Sequence, residues 1–196
     1  MGLLVSPLLA LAGSIAVTAA LLGHLSWLVG AMRTRKRGAL DWPLRMVLAG
    51  ATLSAPAAAL GVLLAADIVS GPRWALAYAV LALGGWVSLT IAGMMLRIVP
   101  FLVWYRAYAA RVGAEPVPAL AQLGWPAAEA AAFVGLTGGV LTLAGAVWLG
   151  DPLAVRAAGV LLAAGALAFG AALASVLQHL RHARVGAPLS ARINAA

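Results

Sequence analysis

Apolar residues neither alternate along this chain nor recur only at helical spacing. They run almost unbroken through five stretches, 3–32, 43–69, 74–105, 125–149 and 153–180, separated by short polar punctuation. The first stretch closes on Arg33, Arg35, Lys36 and Arg37, and the second on Ser70-Gly71-Pro72. The third is followed by the polar, proline-containing GAEPVPALAQLG, and the fourth ends at Gly150-Asp151-Pro152. A bilayer crossing needs roughly 20 apolar residues in a helix rising about 1.5 Å per residue, and every stretch meets that length. Membrane strands alternate and need at least about eight segments to close a barrel. The pattern therefore predicts an all-α integral membrane protein, a bundle of five transmembrane helices in one membrane domain, with a short basic tail at 181–196.

Composition agrees with this. Of 196 residues, 64% are hydrophobic and 9% charged, where a soluble domain devotes about a quarter to charge. There is too little polar surface to cover a water-soluble globule. Cysteine is absent, which excludes disulfides and thiolate chemistry. The net charge of +8 lies between the apolar runs rather than on one folded face, which argues against nucleic acid as a partner and for membrane orientation. With the N-terminus outside, one side receives the 33–37 cluster, Arg106, Arg111, Arg181, Arg184 and Arg192, and the other only Arg73 and Arg156. The positive-inside rule then puts the C-terminus in the cytoplasm. The alanine- and arginine-rich composition suggests a bacterial chain, hence a multi-pass protein of the inner membrane.

Small residues mark the expected packing faces. Gly84, Ser88 and Ala92 repeat every fourth position in the third span, Gly135 and Gly139 in the fourth, and Gly159 and Ala163 in the fifth. Such spacing lets helix backbones approach closely in lipid. Pro56 falls in the second span and is expected to kink it, freeing a carbonyl near Thr52.

The chemistry-bearing residues are few. Arg97 interrupts GGWVSLTIAGMMLRIVPFLVWYRAY. The uncharged run before it, about 23 residues or about 34 Å of helix, already crosses a core of about 30 Å. One reading thus makes Arg97 an interfacial anchor, with Trp104, Tyr105 and Tyr108 as an aromatic belt. The other buries it and requires a partner. Glu129, one turn into the fourth span, is the candidate ion-pair partner, and the Leu96 carbonyl freed by Pro100 could add a polar group. His24 lies as far before Arg33 as Arg97 lies before Arg106, so both are expected at one depth. His179 and His182 share a helix face, flanked by arginines that mark a solvated basic tail. No phosphate loop, carboxylate pair, zinc motif or nucleophile–base pair is present, so the chain offers no catalytic residue.

The segment G-W-V-S-L-T-I-A-G-M-M with a basic residue and I-V-P after it, within 78–104, resembles a helix of the heme-copper oxidase subunit I and NnrS-like membrane superfamily. That resemblance implies a shortened, respiratory-chain-associated relative, with a single heme b ligated by His24 and a propionate paired by Arg97. The histidine that commonly precedes this segment in those families has no counterpart in Tyr78 to Leu83. The rival expectation is a non-catalytic scaffold or accessory subunit, embedded in the lipid bilayer and packing against a partner membrane protein or a second copy. A permease using Arg97 and Glu129 ranks third, because the central thirds of the spans lack ionisable groups.

Overall fold

The computed structural model describes residues 6–36 and 39–185, the last four of these by their backbone. Every regular element among them is helical: α1 (Pro7–Arg33), α2 (Trp42–Ala65), α3 (Pro72–Ala79), α4 (Leu89–Tyr108), α5 (Pro126–Leu149) and α6 (Pro152–Val185). A π-helical segment, Val80–Ser88, joins α3 to α4. With a closing 3-10 turn, Ala109–Arg111, these form one helix of 40 residues from Pro72 to Arg111. Five helices are thus long and apolar enough to cross a membrane, and their bounds lie within a few residues of those expected, except that the third runs past 105.

Local chemistry sets the helix starts. Proline occupies the first turn of α1, α2, α3, α5 and α6, where its missing N–H is no loss. Ser6 accepts from the Leu9 N–H, and Asp41 from the Leu44 N–H, as side-chain N-caps. The turn between α5 and α6 is short because Gly150 takes a left-handed conformation, φ 72°. Its N–H and that of Asp151 both donate to the Ala146 carbonyl. Asp151 Oδ1 then accepts from Leu153 and Ala154 to open α6.

Packing is uneven. A core of Met46, Leu89, Ala92, Leu96, Ala128, Ala132 and Ala172 ties α2, α4, α5 and α6 together. Backbones come close at three glycine crossings. A Cβ on Gly135 would lie 2.6 Å from the Gly165 Cα, one on Gly93 2.7 Å from the Pro43 carbonyl oxygen, and one on Gly50 2.6 Å from the Thr90 hydroxyl. Of the expected packing residues, Ala92 is buried in the core, Gly135 faces Gly165 and Gly139 faces Leu162. Gly84 lies loosely over Val140, and Ser88 is exposed. The expected pair on α6 is corrected: Gly159 and Ala163 point outward, and Gly165 makes the crossing. The reason is helical phase, since Gly165 falls on the face shared with buried Ala158 and Ala172. Helix α2 runs through Pro56, which is exposed, as is Thr52, whose hydroxyl donates to the Leu48 carbonyl.

Helix α1 stands apart from this economy. Among the described residues it packs against α2 and no other helix, and Leu21 is its one buried residue.

Candidate functional site

The polar residues gather at the end of the bundle where α1 closes, α2 and α5 open, and α4 and α6 run out. They form two layers. In the inner layer, Arg97 Nη2 donates to Asp41 Oδ2 at 3.1 Å, with the two side chains 50% and 49% exposed. Asp41 serves twice, because its Oδ1 caps α2 while Oδ2 holds the arginine. The α2 terminus also carries Trp42, with the Arg45 guanidinium 4.3 Å from its ring centroid and Phe133 of α5 5.8 Å away. Arg97 is therefore level with the end of α2 rather than at its middle, and its expected partner is corrected. Asp41 holds it, because the N-cap projects across to α4. Glu129 lies over Gly124, whose added Cβ would be 2.7 Å from its Oε1. There it sits in the first turn of α5, where the helix dipole favours a carboxylate.

The outer layer lies about 11 residues, roughly 16 Å, further along α4. Trp104 Nε1 donates to the Pro118 carbonyl at 2.7 Å, drawing the connection between α4 and α5 back beneath the bundle. The Tyr108 hydroxyl and His179 Nδ1 are 3.0 Å apart, joining α4 to α6. Around them Val103, Leu123 and Val176 form a small second core. Arg111 pairs with Glu115 at 3.2 Å. His179 is thus a packing residue with a tyrosine partner, while the side chain of His182 lies outside the described residues.

His24 is exposed on α1, with its ring 6.2 Å from that of Trp27. It is not brought to Arg97, since α1 does not reach α4. Equal depth is compatible with this. Among the described residues no three His, Cys, Asp or Glu side chains converge as a metal site would require.

The π segment frames a second feature. Its irregular carbonyls are met by hydroxyls: Ser88 donates to Leu83 O at 2.7 Å and Thr90 to Trp86 O at 2.6 Å. Beside it, an apolar groove of about 390 Å³ opens between α3, the π segment, α5 and α6.

What fold and site define is an all-helical chain of five apolar spans, polar at one end and closely packed at its centre. No family model, curated protein or solved structure matches it significantly.

Sequence reading missed Asp41, the Tyr108–His179 contact, and the crossings at Gly50, Gly93 and Gly165. Asp41-Trp42-Pro43 is a legible helix start, a capping carboxylate two residues before proline, and its cap role could have been found. The other contacts join distant residues and leave no local signal.

Proposed function

We propose that this chain is a multi-pass membrane protein, its polar end in the bacterial cytoplasm, acting as a non-enzymatic accessory subunit that receives a partner's membrane helix on α1. The observation carrying this is the isolation of α1, a 27-residue apolar helix that rests, among the described residues, on α2 alone. Helices in lipid gain nothing by apolar burial and associate through close packing and polar contacts. The free surface of α1 offers both. Gly23 and Gly30 share one face and Gly13 lies on the adjoining flank, all three with nothing within 4 Å of an added Cβ, and exposed His24 is on the flank of Gly13. The polar end supports orientation through the same bias of cations that the sequence displays.

The heme reading draws less support. One histidine on the outer face of α1, another bonded to Tyr108, and an arginine held by Asp41 do not compose a shared axial and propionate site. Its test is an absorption spectrum, oxidised and dithionite-reduced, of protein purified from heme-supplemented cells. A near-stoichiometric Soret band lost on His24→Ala would restore it.

The accessory reading is tested by a photo-crosslinking residue placed in turn at Ala16, Gly23 and Trp27 of α1 and at outward-facing Leu167 of α6. Adducts of one discrete mass from α1 positions, absent from Leu167 and weakened by His24→Ala, are expected. Equal smears at all positions would sink it, and an adduct of twice the chain mass would make the partner a second copy. Because the chain has no cysteine, orientation can be read from single substitutions. Asp151→Cys should react with an impermeant maleimide in intact cells, and Lys36→Cys only after permeabilisation.

A further inference from the structure

The apolar groove beside the π segment has a shape and a mouth that point to one kind of occupant. Its walls are Leu76, Val80, Leu83 and Gly84 on one side, and Val140 and Leu143 on the other, with Ser88 at its far end. The Ser88 hydroxyl is committed to the Leu83 carbonyl, so the cleft offers little for a polar ligand. From Leu76 to Ser88 it runs along the helix for about 12 residues, roughly 18 Å. That is close to one leaflet of a hydrocarbon core about 30 Å thick. A long apolar trough of that length suits an extended chain better than a compact ring system.

One helical turn before Leu76, beyond the groove's lining, stands a cation. Arg73, Leu76, Val80 and Leu83 follow at helical spacing, so they share one face. Arg73 is exposed and its guanidinium rests against Gly150, where an added Cβ would lie 3.0 Å from Cζ. The ion pairs found among the described residues are Arg97–Asp41 and Arg111–Glu115, and neither engages Arg73. Beside it, Trp74 and Trp148 meet edge to face at 5.8 Å, the kind of aromatic pair that sits at headgroup level.

We propose that this groove seats a single anionic phospholipid, its phosphate on Arg73 and one acyl chain lying along Leu76, Val80, Leu83 and Gly84 as far as Ser88. The proposal rests on the membrane reading above. Within the π segment Gly84 contributes by carrying no side chain, so that the acyl chain passes where one would otherwise stand, with Val140 across from it.

The test is native mass spectrometry of the full chain, delipidated in mild detergent and titrated with phosphatidylglycerol or phosphatidylcholine of identical acyl chains. One tightly held phosphatidylglycerol per chain is expected, in preference to phosphatidylcholine. Arg73→Gln should weaken it about fivefold, the worth of one cation near an anionic lipid. Arg156→Gln, at the same end of the bundle but outside the groove, should leave it unchanged. Gly84→Leu, verified as monodisperse and helical, should weaken both lipids by filling the trough. Equal binding of the two lipids by the unaltered chain would overturn the proposal, as would an Arg156→Gln loss equal to that of Arg73→Gln. A chain that stays in solution without detergent would instead overturn the membrane reading. A detergent-dependent chain with no preference overturns the lipid site alone.

Discussion

Two neighbouring pairs of spans, α5 with α6 and α1 with α2, are written in much the same alphabet of Ala, Gly, Leu and Val, yet they pack very differently. In the first pair Gly135 and Gly165 meet backbone to backbone, and a two-residue turn at Gly150-Asp151 holds the helices in register. In the second, α1 leans on α2 through a few larger side chains, while its glycines at 13, 23 and 30 face open space. A small residue is therefore a permission to approach, used only where a partner presents a matching one. In a membrane, where burial alone drives no association, that distinction would separate the body of the bundle from the helix proposed above to receive a partner.

The comparison breaks most sharply at Gly135. Gly135→Leu has no room, since the Gly165 backbone lies against it, and should cost about 3 kcal/mol through forced separation of α5 and α6. Gly138→Leu, three residues on and unobstructed, should be nearly neutral. Unfolding midpoints in mild detergent distinguish them. Equal effects would mean that α5 and α6 do not cross at Gly135.

The next effect lies at the polar end. Asp41→Ala removes both a helix cap and the acceptor of Arg97, and should cost about 1–2 kcal/mol. Asp41→Asn keeps a capping oxygen and loses only the charge pair, which at half exposure is worth less than about 1 kcal/mol. The Asn variant should therefore recover most of the stability. A double-mutant cycle with Arg97→Gln isolates the pair, and a coupling near zero would reduce Asp41 to a cap. Further out, Tyr108→Phe removes the contact with His179 and should cost about 1 kcal/mol, together with faster proteolysis in the 112–125 connection.

The five apolar helices were legible in the sequence because each is a continuous local property of the chain, long and apolar enough to cross a membrane. Core membership of Ala92 and Gly135 was also legible, as spacing on one helix. The α6 crossing was misread at Gly159 because two equally small stripes run along that helix, and only the phase of α5 selects the one through Gly165. Arg97 shows the same limit. Counting residues in its own span offers two levels for it, and the structure sets it beside the N-cap of α2. Its partner, about 56 positions earlier in the chain, depends on how α2 enters the bundle. The π segment left no trace either, since Val80–Ser88 reads as ordinary apolar helix until the Ser88 and Thr90 hydroxyls are seen donating to the carbonyls of Leu83 and Trp86.

The smallest effect on the isolated chain should be the most informative about α1. Gly23→Leu adds a large side chain to a face with nothing within 4 Å, and replacing Gly within a helix is favourable by several tenths of a kcal/mol. The purified variant should unfold at the same point as the parent or slightly later. In the membrane the outcome should reverse, because a partner helix drawn close by Gly23 would be pushed off, and the discrete crosslink from Ala16 should fade. Stability lost in detergent would mean that Gly23 already packs within this chain, which would remove the case for an available face. Stability kept and crosslinking kept would place the partner elsewhere on α1, and His24→Ala would then be the variant to read.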